Sequence, residues 1–197
     1  MHTDRKLIAA ASARTRKQIG TSSIVFVGLM GAGKSAIGRM SAQALNLPFV
    51  DSDHEIEAVS RMSITDLFAS YGEEEFRSLE ARVIERLLAD GPRVVSTGGG
   101  AFINEKTRAL IKERGVSIWL DGDLEVLWDR VKKRNTRPLL KTANPKETLA
   151  ELMRVRNPTY AEAEITVRSR DVPKEVVVGE VLQALAEYTA TDGKNER

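Results

Sequence analysis

The sequence predicts an α/β fold in which a parallel sheet is covered by helices on both faces. Short apolar runs with strand character alternate along the chain with stretches of helical spacing, the pattern of successive β-α-β units. Glycine-rich or acidic segments follow four of these runs, at residues 28–35, 51–53, 98–100 and 121. Parallel strands joined by right-handed crossovers all end on one side of the sheet, so we expect the four segments to meet in one cleft.

Each strand is expected because a short apolar run precedes a turn or a polar segment. The runs lie at about residues 23–27, 48–51, 93–97, 116–120 and 164–167. Helices are expected where apolar residues recur at helical spacing, with stop signals such as Gly91, Pro92 and Gly115. These stretches lie at about residues 35–45, 55–60, 64–71, 73–89, 104–114, 124–133, 146–155 and 174–188. Pro158 is expected to terminate the helix that precedes Arg156.

Composition and charge narrow the class of protein. The chain has 197 residues, 42% of them hydrophobic and 29% charged, as in an ordinary globular domain. Its net charge of +2 is uneven, because residues 1–19 hold five basic residues and one acid. The rest keeps 25 of the 30 basic and 27 of the 28 acidic residues, so its charge gives no support for nucleic-acid binding.

Residue types that are missing exclude further classes of site. There is no cysteine and there are two histidines, which excludes disulfides and thiolate sites and argues against a histidine-based zinc site. No apolar run approaches the length of a membrane span. We expect a cytoplasmic monomer without a membrane partner. Residues 1–20 are expected to form a flexible basic extension (a transit peptide is the alternative), residues 21–189 one domain and residues 190–197 a disordered tail.

Residues 28–35 match the phosphate-binding pattern G-x-x-x-x-G-K-[ST]. The glycines allow successive backbone N–H groups to face one anion, and Lys34 can reach the β- and γ-phosphates. The hydroxyl of Ser35 can ligate Mg²⁺. A predicted strand before the loop and a helix after it favour a nucleotide site over a glycine turn that only opens a helix. The residues expected to bind the nucleotide there are Gly31, Ala32, Gly33, Lys34, Ser35 and Ala36.

Asp51 and Asp53 form a second candidate site. They lie one residue apart on a segment predicted to be extended, so their side chains are expected to project in the same direction. Beside MgATP, one carboxylate can hold a metal-bound water while the other accepts or orients a hydroxyl proton. The alternative is a pair of acids that caps the following helix.

Three arginines and the glycine run at 98–100 are weaker candidates. Arg77 lies in a predicted helix, Arg137 in a loop stiffened by proline, and Arg156 near a helix end. Spacing alone does not bring the three together, and each could be structural. The glycines could form a flexible turn or a place where a substrate contacts the backbone.

Taken in order, these motifs resemble the shikimate kinase family. The set is Gly-x-x-Gly-x-Gly-Lys-Ser, Asp-Ser-Asp, Phe-Arg, Gly-Gly-Gly, Arg-Pro-Leu-Leu and Arg-Asn-Pro-x-Tyr, and it spans about residues 23–185. The resemblance implies a three-layer P-loop kinase fold of the nucleoside-monophosphate-kinase type, with a five-stranded parallel sheet of order 2-3-1-4-5. It also implies a mobile lid at about residues 134–146 and a helical substrate-binding region at about residues 52–80.

The resemblance further implies a reaction. The γ-phosphoryl group of ATP would pass to the 3-hydroxyl of shikimate, giving 3-phosphoshikimate for aromatic amino-acid biosynthesis. Lys34 and Ser35 would bind the phosphates and Mg²⁺, and Asp51 would hold the magnesium through water. Asp53 would bind the shikimate hydroxyls and act as the candidate base, while Arg137 would swing in with the lid, contact the substrate and stabilise the transferring group.

Substrate contacts are implied in the same way. Arg77 and Arg156 would clamp the shikimate carboxylate, and Glu80 would fix Arg77. The adenine base would pack against Pro173, with Arg134 on its opposite face. Backbone contacts to the substrate would come from Gly98, Gly99 and Gly100.

Two other functions stay open from the residues alone. The same scaffold could phosphorylate gluconate or a nucleotide, although paired arginines suit a carboxylated substrate better than a nucleobase. The chain could instead be a P-loop switch whose nucleotide state controls a partner. The sequence lacks the guanine-reading Asn-Lys-x-Asp motif of GTPases.

Overall fold

The computed structural model describes residues 15–16, 19–132, 138–140 and 142–192. Strands and helices alternate along these residues. The strands are β1 Ser23–Val27, β2 Phe49–Asp51, β3 Val94–Ser96, β4 Gly115–Gly122 and β5 Ile165–Ser169. The helices are α1 Lys34–Leu45, α2 Ser52–Ser60, α3 Ile64–Ala89, α4 Glu105–Arg114, α5 Leu124–Val131, α6 Pro145–Tyr160 and α7 Lys174–Asp192, with short 3-10 turns at Ala101–Ile103 and Pro138–Leu140.

All five strands pair in parallel in the order β2-β3-β1-β4-β5, which confirms the predicted sheet. The central strand β1 is buried along its whole length, because strands of a covered parallel sheet face apolar helices on both sides. In the register of the sheet, Ile24 lies between Val94 and Val116. Asp51 lies opposite Ser96, which brings the ends of β2 and β3 together.

Two groups of helices cover the sheet. Helices α1 and α7 contact each other, and they pack against β2, β3 and β5. Helix α3 contacts α4, which packs against β4. The buried face of α1 carries Ile37, Ala42 and Leu45, whereas Met40 is half-buried and Ala44 is exposed.

Helix α6 is longer than the sequence predicts. It runs through Pro158 to Tyr160, so the prediction that this proline ends the helix is wrong. Proline removes one backbone N–H and disfavours a helix interior, but here it lies in the last turn. There the N–H of Ala161 still donates to the carbonyl of Asn157 at 2.9 Å, and Tyr160 is fully buried.

Helix α3 consists of two segments. Gly72 has φ 80° and ψ 178°, outside the helical region, at the position between the two helices predicted at 64–71 and 73–89. Only glycine adopts this conformation readily, because it has no Cβ. The break separates the first segment of α3 from the longer segment that carries Arg77.

Part of the expected N-terminal extension packs on the domain. Thr15 is 1% exposed and Ile19 is 6% exposed, and Ile19 belongs to the hydrophobic core. Arg16 donates a hydrogen bond to the carbonyl of Asn46 at the end of α1. Within the described ranges, no helix has both the length and the apolar character that crossing a membrane requires.

Candidate active site

A cleft of about 880 Å³ lies at the carboxyl ends of the strands. Residues 30–37 after β1, Asp51 and Asp53 after β2, and residues 97–99 after β3 all line it, as predicted. Asp121 at the end of β4 is not among the described residues that line the cleft. Its carboxylate forms an ion pair with Arg168 of the neighbouring strand β5. The prediction that Asp121 lies in the cleft is therefore wrong, because Arg168 on the neighbouring strand holds its side chain.

Backbone conformation shapes the phosphate loop at residues 28–35, called the P-loop below. Gly31 and Gly33 have φ of 83° and 95°, a left-handed region that favours glycine. A Cβ at Gly31 would lie 2.9 Å from the carbonyl oxygen of Leu127 in α5, so the close packing of loop and helix also requires glycine. The turn that these glycines permit exposes backbone N–H groups to an anion.

Lys34 is the first residue of α1 and is 9% exposed. Its Nζ donates to the carbonyls of Gly28 and Leu29 at 2.8 and 2.9 Å. The ammonium group therefore lies against the loop, at the helix N-terminus where the dipole also favours negative charge. Loop, lysine and helix end together form a site for phosphate groups.

Three hydroxyl and carboxylate oxygens meet beside the P-loop. The Oγ of Ser35 lies 2.6 Å from Oδ2 of Asp51 and 3.2 Å from Oγ of Ser96. Mg²⁺ prefers such hard oxygen donors, and it usually keeps several waters and takes one or two carboxylates together with substrate phosphates. In the described part of the chain, no group of three or more His, Cys, Asp or Glu could hold a metal alone. The donor set fits a magnesium ion that shares its ligands with a nucleotide.

Asp51 and Asp53 do not lie on one extended segment, so that prediction is wrong. Asp51 ends β2, whereas Asp53 lies in the first turn of α2. The helix begins there because Oδ1 of Asp51 accepts a hydrogen bond from the N–H of Asp53 at 3.1 Å. Asp51 therefore caps α2 with one oxygen and contacts Ser35 with the other.

Asp53 faces residues 98–100, called the glycine turn below. A Cβ at Gly98 would lie 2.7 Å from Oδ1 of Asp53 and 2.9 Å from Oε1 of Glu80. The two carboxylate oxygens are thus at most about 5.6 Å apart, the sum of these distances. Helices α2 and α3 therefore bring two acids to one edge of the glycine turn.

Arg77 of α3 is held from several sides. Its guanidinium donates to Glu80 at 2.7 Å and to Glu73 at 3.2 Å. The rings of Phe76 and Phe68 lie 5.1 and 6.0 Å from the guanidinium carbon, within the range of cation–π attraction. A side chain at position 100 would overlap this guanidinium, which therefore lies directly on the glycine turn.

Burial dominates the electrostatics of the Arg77–Glu80 pair. Glu80 is 2% exposed, and its burial raises the pKa of the carboxyl although Arg77 opposes the shift. The nearby charge of Asp53 raises that pKa further. Burial disfavours the charged form of Arg77 as well, but Glu80 and then Glu73 raise its pKa overall. The Oε1 atom of Glu80 is buried and has no hydrogen-bond partner among the described residues.

Arg156 of α6 reaches the glycine turn from the other direction. Its Nη1 donates to the carbonyl of Gly99 at 3.3 Å, and the hydroxyl of Tyr160 donates to the same oxygen. The structure therefore brings Arg77, Arg156 and Asp53 together around one turn, which spacing alone did not predict. Two cations and a carboxylate at this turn suit a small ligand that has both an acid group and hydroxyls.

Of the three side chains expected to contact adenine or to act from the lid, only that of Pro173 is among the described residues. Arg134 and Arg137 lie outside the described residues. Pro173 is exposed just before α7, where its carbonyl accepts a hydrogen bond from Val176 N–H at 3.0 Å. Its neighbours Val172 and Lys174 line the cleft. Pro173 therefore lies between two residues that line the cleft, and its contact with adenine stays a prediction.

Sequence reasoning missed three residues of the site. Arg130 of α5 lines the cleft and donates to the carbonyl of Gly31 at 3.1 Å and to Ser169 at 2.8 Å, so it ties the P-loop to β5. Nothing in the sequence distinguishes this arginine from a solvated one. Ser96 could have been noticed as the last polar residue of a predicted strand. Tyr160 is the last residue of the Arg-Asn-Pro-x-Tyr motif, but the sequence assigned it no role.

A P-loop that follows the central strand of a 2-3-1-4-5 parallel sheet shares one cleft with Asp51, Asp53 and the glycine turn, and Arg77 and Arg156 contact that turn. This arrangement defines a kinase of the P-loop class. The family model described as "Shikimate kinase" matches residues 30–186. The chain belongs to the shikimate kinase family.

Individual relatives agree with this assignment. The chain is 66% identical over 180 residues to the shikimate kinase of Rhizobium meliloti (strain 1021), covering 91% of this chain and 94% of that protein. It is 63% identical over 174 residues to the shikimate kinase of Rhizobium leguminosarum bv. trifolii (strain WSM2304), covering 88% and 89%. Among solved structures, the shikimate kinase from Acinetobacter baumannii in complex with shikimate superposes with a TM-score of 0.81 at 35% identity, covering 85% of this chain and 95% of that one.

Proposed function

We propose that the protein transfers the γ-phosphoryl group of ATP to the 3-hydroxyl of shikimate, giving 3-phosphoshikimate and ADP. The observation that carries the proposal is the convergence of Arg77, Arg156 and Asp53 on the glycine turn beside the P-loop. Shikimate carries one carboxylate and three ring hydroxyls, which match this set of groups. The family assignment and the relatives named above support the same substrate.

Arg77 and Arg156 bind the carboxylate in this proposal. A guanidinium is planar and always charged, and it can donate two parallel hydrogen bonds to a carboxylate. Glu80 and the two phenylalanine rings orient Arg77 before substrate arrives, which lowers the entropy lost on binding. Asp53 accepts hydrogen bonds from ring hydroxyls, and Gly98, Gly99 and Gly100 let the substrate approach the backbone.

Phosphoryl transfer depends mainly on position and charge. The P-loop amides and Lys34 hold the β- and γ-phosphates, and Ala36 lies at the same helix start. Ser35 would hold Mg²⁺ directly and Asp51 would hold it through water, and the ion would neutralise charge on the phosphates when bound. Asp53 takes or orients the proton of the attacking hydroxyl. Arg137 stabilises the transferring group as the lid closes.

We further propose that the adenine base lies between Pro173 and Arg134, at the rim beside Val172 and Lys174. The product would serve the pathway to chorismate and aromatic amino acids, and we propose a cytoplasmic monomer.

Replacing Pro173 by alanine should weaken ATP binding and leave shikimate binding unchanged. Titration of the variant with nucleotide, and separately with shikimate, would measure both affinities.

A coupled assay that detects ADP tests the function directly. With ATP and magnesium, we expect turnover of shikimate at about 1–100 per second. Nucleoside monophosphates should give rates near background, because they carry no carboxylate for the arginine pair. Gluconate carries both a carboxylate and hydroxyls, so the site residues alone do not exclude it, and the family assignment is what favours shikimate. Phosphorus–proton correlation NMR would identify the 3-position. Strong turnover of gluconate with none of shikimate would overturn the proposal, and nucleotide-dependent binding of a macromolecule without a phosphorylated product would favour a P-loop switch.

Replacing Gly98 by alanine is expected to raise the KM for shikimate about tenfold. The added methyl group would lie closer than 3.0 Å to both Asp53 and Glu80, so at least one carboxylate must move. Steady-state kinetics with each substrate varied in turn would measure the effect. The matched control is Gly179→Ala in α7, where a Cβ meets nothing within 4 Å and kinetics should not change. An unchanged KM in Gly98→Ala would contradict the assigned position of Asp53.

A further inference from the structure

Tyr160 is a buried tyrosine that the proposed reaction does not use. Its side chain is 0% exposed, and its hydroxyl donates a hydrogen bond to the carbonyl of Gly99. Its ring stacks on Trp119 of β4, with centroids 6.1 Å apart and planes 29° from parallel. The hydroxyl therefore reaches the glycine turn from a ring that the sheet holds in place.

Trp119, the partner of Tyr160 in this stack, also contacts the P-loop. A Cβ at Gly28 would lie 3.1 Å from Cδ1 of Trp119, so the indole packs directly on the first residue of the loop. A Cβ at Gly99 would lie 3.5 Å from the backbone nitrogen of Met30 and 3.7 Å from the carbonyl oxygen of Gly28. The glycine turn and the P-loop thus touch each other, with Trp119 packed on the P-loop and Tyr160 bonded to the glycine turn.

The orientation of the Gly99 carbonyl also sets the orientation of the N–H group of Gly100. In a planar trans peptide, the C=O of Gly99 and the N–H of Gly100 point in opposite directions. A donor that fixes the carbonyl therefore fixes the direction of the Gly100 N–H as well. Gly100 lies against the guanidinium of Arg77, so rotation of this peptide would disturb the surface offered to the carboxylated substrate.

We propose that Tyr160 is a positioning residue that sets the orientation of the Gly99–Gly100 peptide, and through it the alignment of the acceptor hydroxyl with the P-loop. The inference rests on the proposed function, since it concerns how that site receives its substrate. Arg156 contacts the same carbonyl, but at 3.3 Å and with a guanidinium that is assigned to the substrate carboxylate. Tyr160 leaves Arg156 available for that role.

The chemistry of Tyr160 allows its hydroxyl to donate this hydrogen bond at every pH at which kinases work. Burial raises the pKa of Tyr160 to about 12, although the charge of Arg156 opposes the shift. The phenol therefore stays protonated across the pH range in which kinases work. Its rigid ring has few conformations to lose, unlike a flexible side chain that would have to be ordered first.

The test is Tyr160→Phe, which removes only the hydroxyl and keeps the ring stack. We expect the KM for shikimate to rise about tenfold and kcat to fall by a similar factor, because the buried carbonyl loses its neutral donor. The KM for ATP should stay within about twofold of the wild-type value, since no P-loop group is removed. The matched control is Tyr188→Phe in α7, which should leave all three constants unchanged.

A second variant covers the case in which Tyr160→Phe does not fold. Trp119→Phe keeps the hydroxyl but reduces the surface behind the Tyr160 ring, and it should raise the KM for shikimate about threefold. A folded Tyr160→Phe protein with unchanged kcat and shikimate KM, or with both KM values raised equally, would overturn the proposal. Wild-type protein that does not phosphorylate shikimate would instead reject the proposed function.

Discussion

Replacing Asp53 by asparagine is expected to lower kcat about 100-fold or more, with a smaller change in the KM for ATP. The amide is nearly isosteric but cannot take a proton from the attacking hydroxyl. Asp53 lies at the cleft end of α2 against Gly98, so it is within reach of a substrate on the glycine turn. Single-turnover kinetics with saturating MgATP would measure the chemical step directly.

Asp51→Asn is the informative comparison for that variant. Asp51 contacts Ser35 at 2.6 Å, so its replacement should raise the Mg²⁺ concentration needed for half-maximal activity. Asp53→Asn should not change that concentration. Near-normal turnover in Asp53→Asn would show that the residue is not the base, and a shifted magnesium requirement there would exchange the two assignments.

Replacing Arg77 by alanine is expected to raise the KM for shikimate about 100-fold while the KM for ATP changes little. In the proposed assignment the variant loses one of two cations for the substrate carboxylate, and it also leaves Glu80 without its ion-pair partner at 2.7 Å. Removal of one partner from a buried pair typically costs about 3–5 kcal/mol of the free energy of unfolding. Stability must therefore be measured beside kinetics.

The stability lost in Arg77→Ala is expected to depend on pH. Burial already raises the pKa of Glu80, and removing Arg77 removes a charge that lowers it. The folded variant then binds more protons than the unfolded chain above the ordinary pKa of a glutamate. The free energy of unfolding of Arg77→Ala should therefore fall, relative to wild type, as the pH rises from about 4 towards neutrality.

A double variant separates binding from stability. Arg77→Ala with Glu80→Gln should recover much of the lost stability, because a neutral amide replaces the unpaired carboxylate, while the KM for shikimate stays high. Arg154→Ala serves as the control, since it breaks an exposed ion pair with Glu151 and should change neither stability nor kinetics measurably. Recovery of a normal shikimate KM in the double variant would contradict the carboxylate role of Arg77.

Local patterns in the sequence were sufficient for the strands and the P-loop. Apolar runs predicted β1 to β5 within a few residues. The central strand β1 is buried along its whole length and needs a continuous apolar run, whereas the edge strand β5 alternates buried and exposed residues. The P-loop was identifiable because its glycines and Lys34 are tied to fixed backbone positions. The strand order came from resemblance to a family, because pairing between distant segments leaves no local trace in one sequence.

Two of the failures share a physical cause, which is that the partner of a side chain lies far away in sequence. Asp121 is held by Arg168 on the adjacent strand, and Pro158 lies in a helix whose end is fixed by the burial of Tyr160. The failure at Asp53 is local: the residue was assigned to an extended segment, but its own N–H donates to Asp51 two residues before it, and this hydrogen bond starts a helix. The contacts of Asp121 and Tyr160 depend on the assembled sheet and not on the residue types alone.

The position of β1 has a consequence for how the chain is made. Strand β1 pairs only with β3 and β4 in the described sheet, and β2 pairs only with β3. No two strands can therefore join until residue 96 has left the ribosome, although the P-loop is complete at residue 35. At a translation rate of about 5–20 residues per second, several seconds pass between the synthesis of β1 and that of β3, and during this time β1 has no strand to pair with. A nascent chain arrested before β3 would carry the whole nucleotide motif and still have no sheet to organise it.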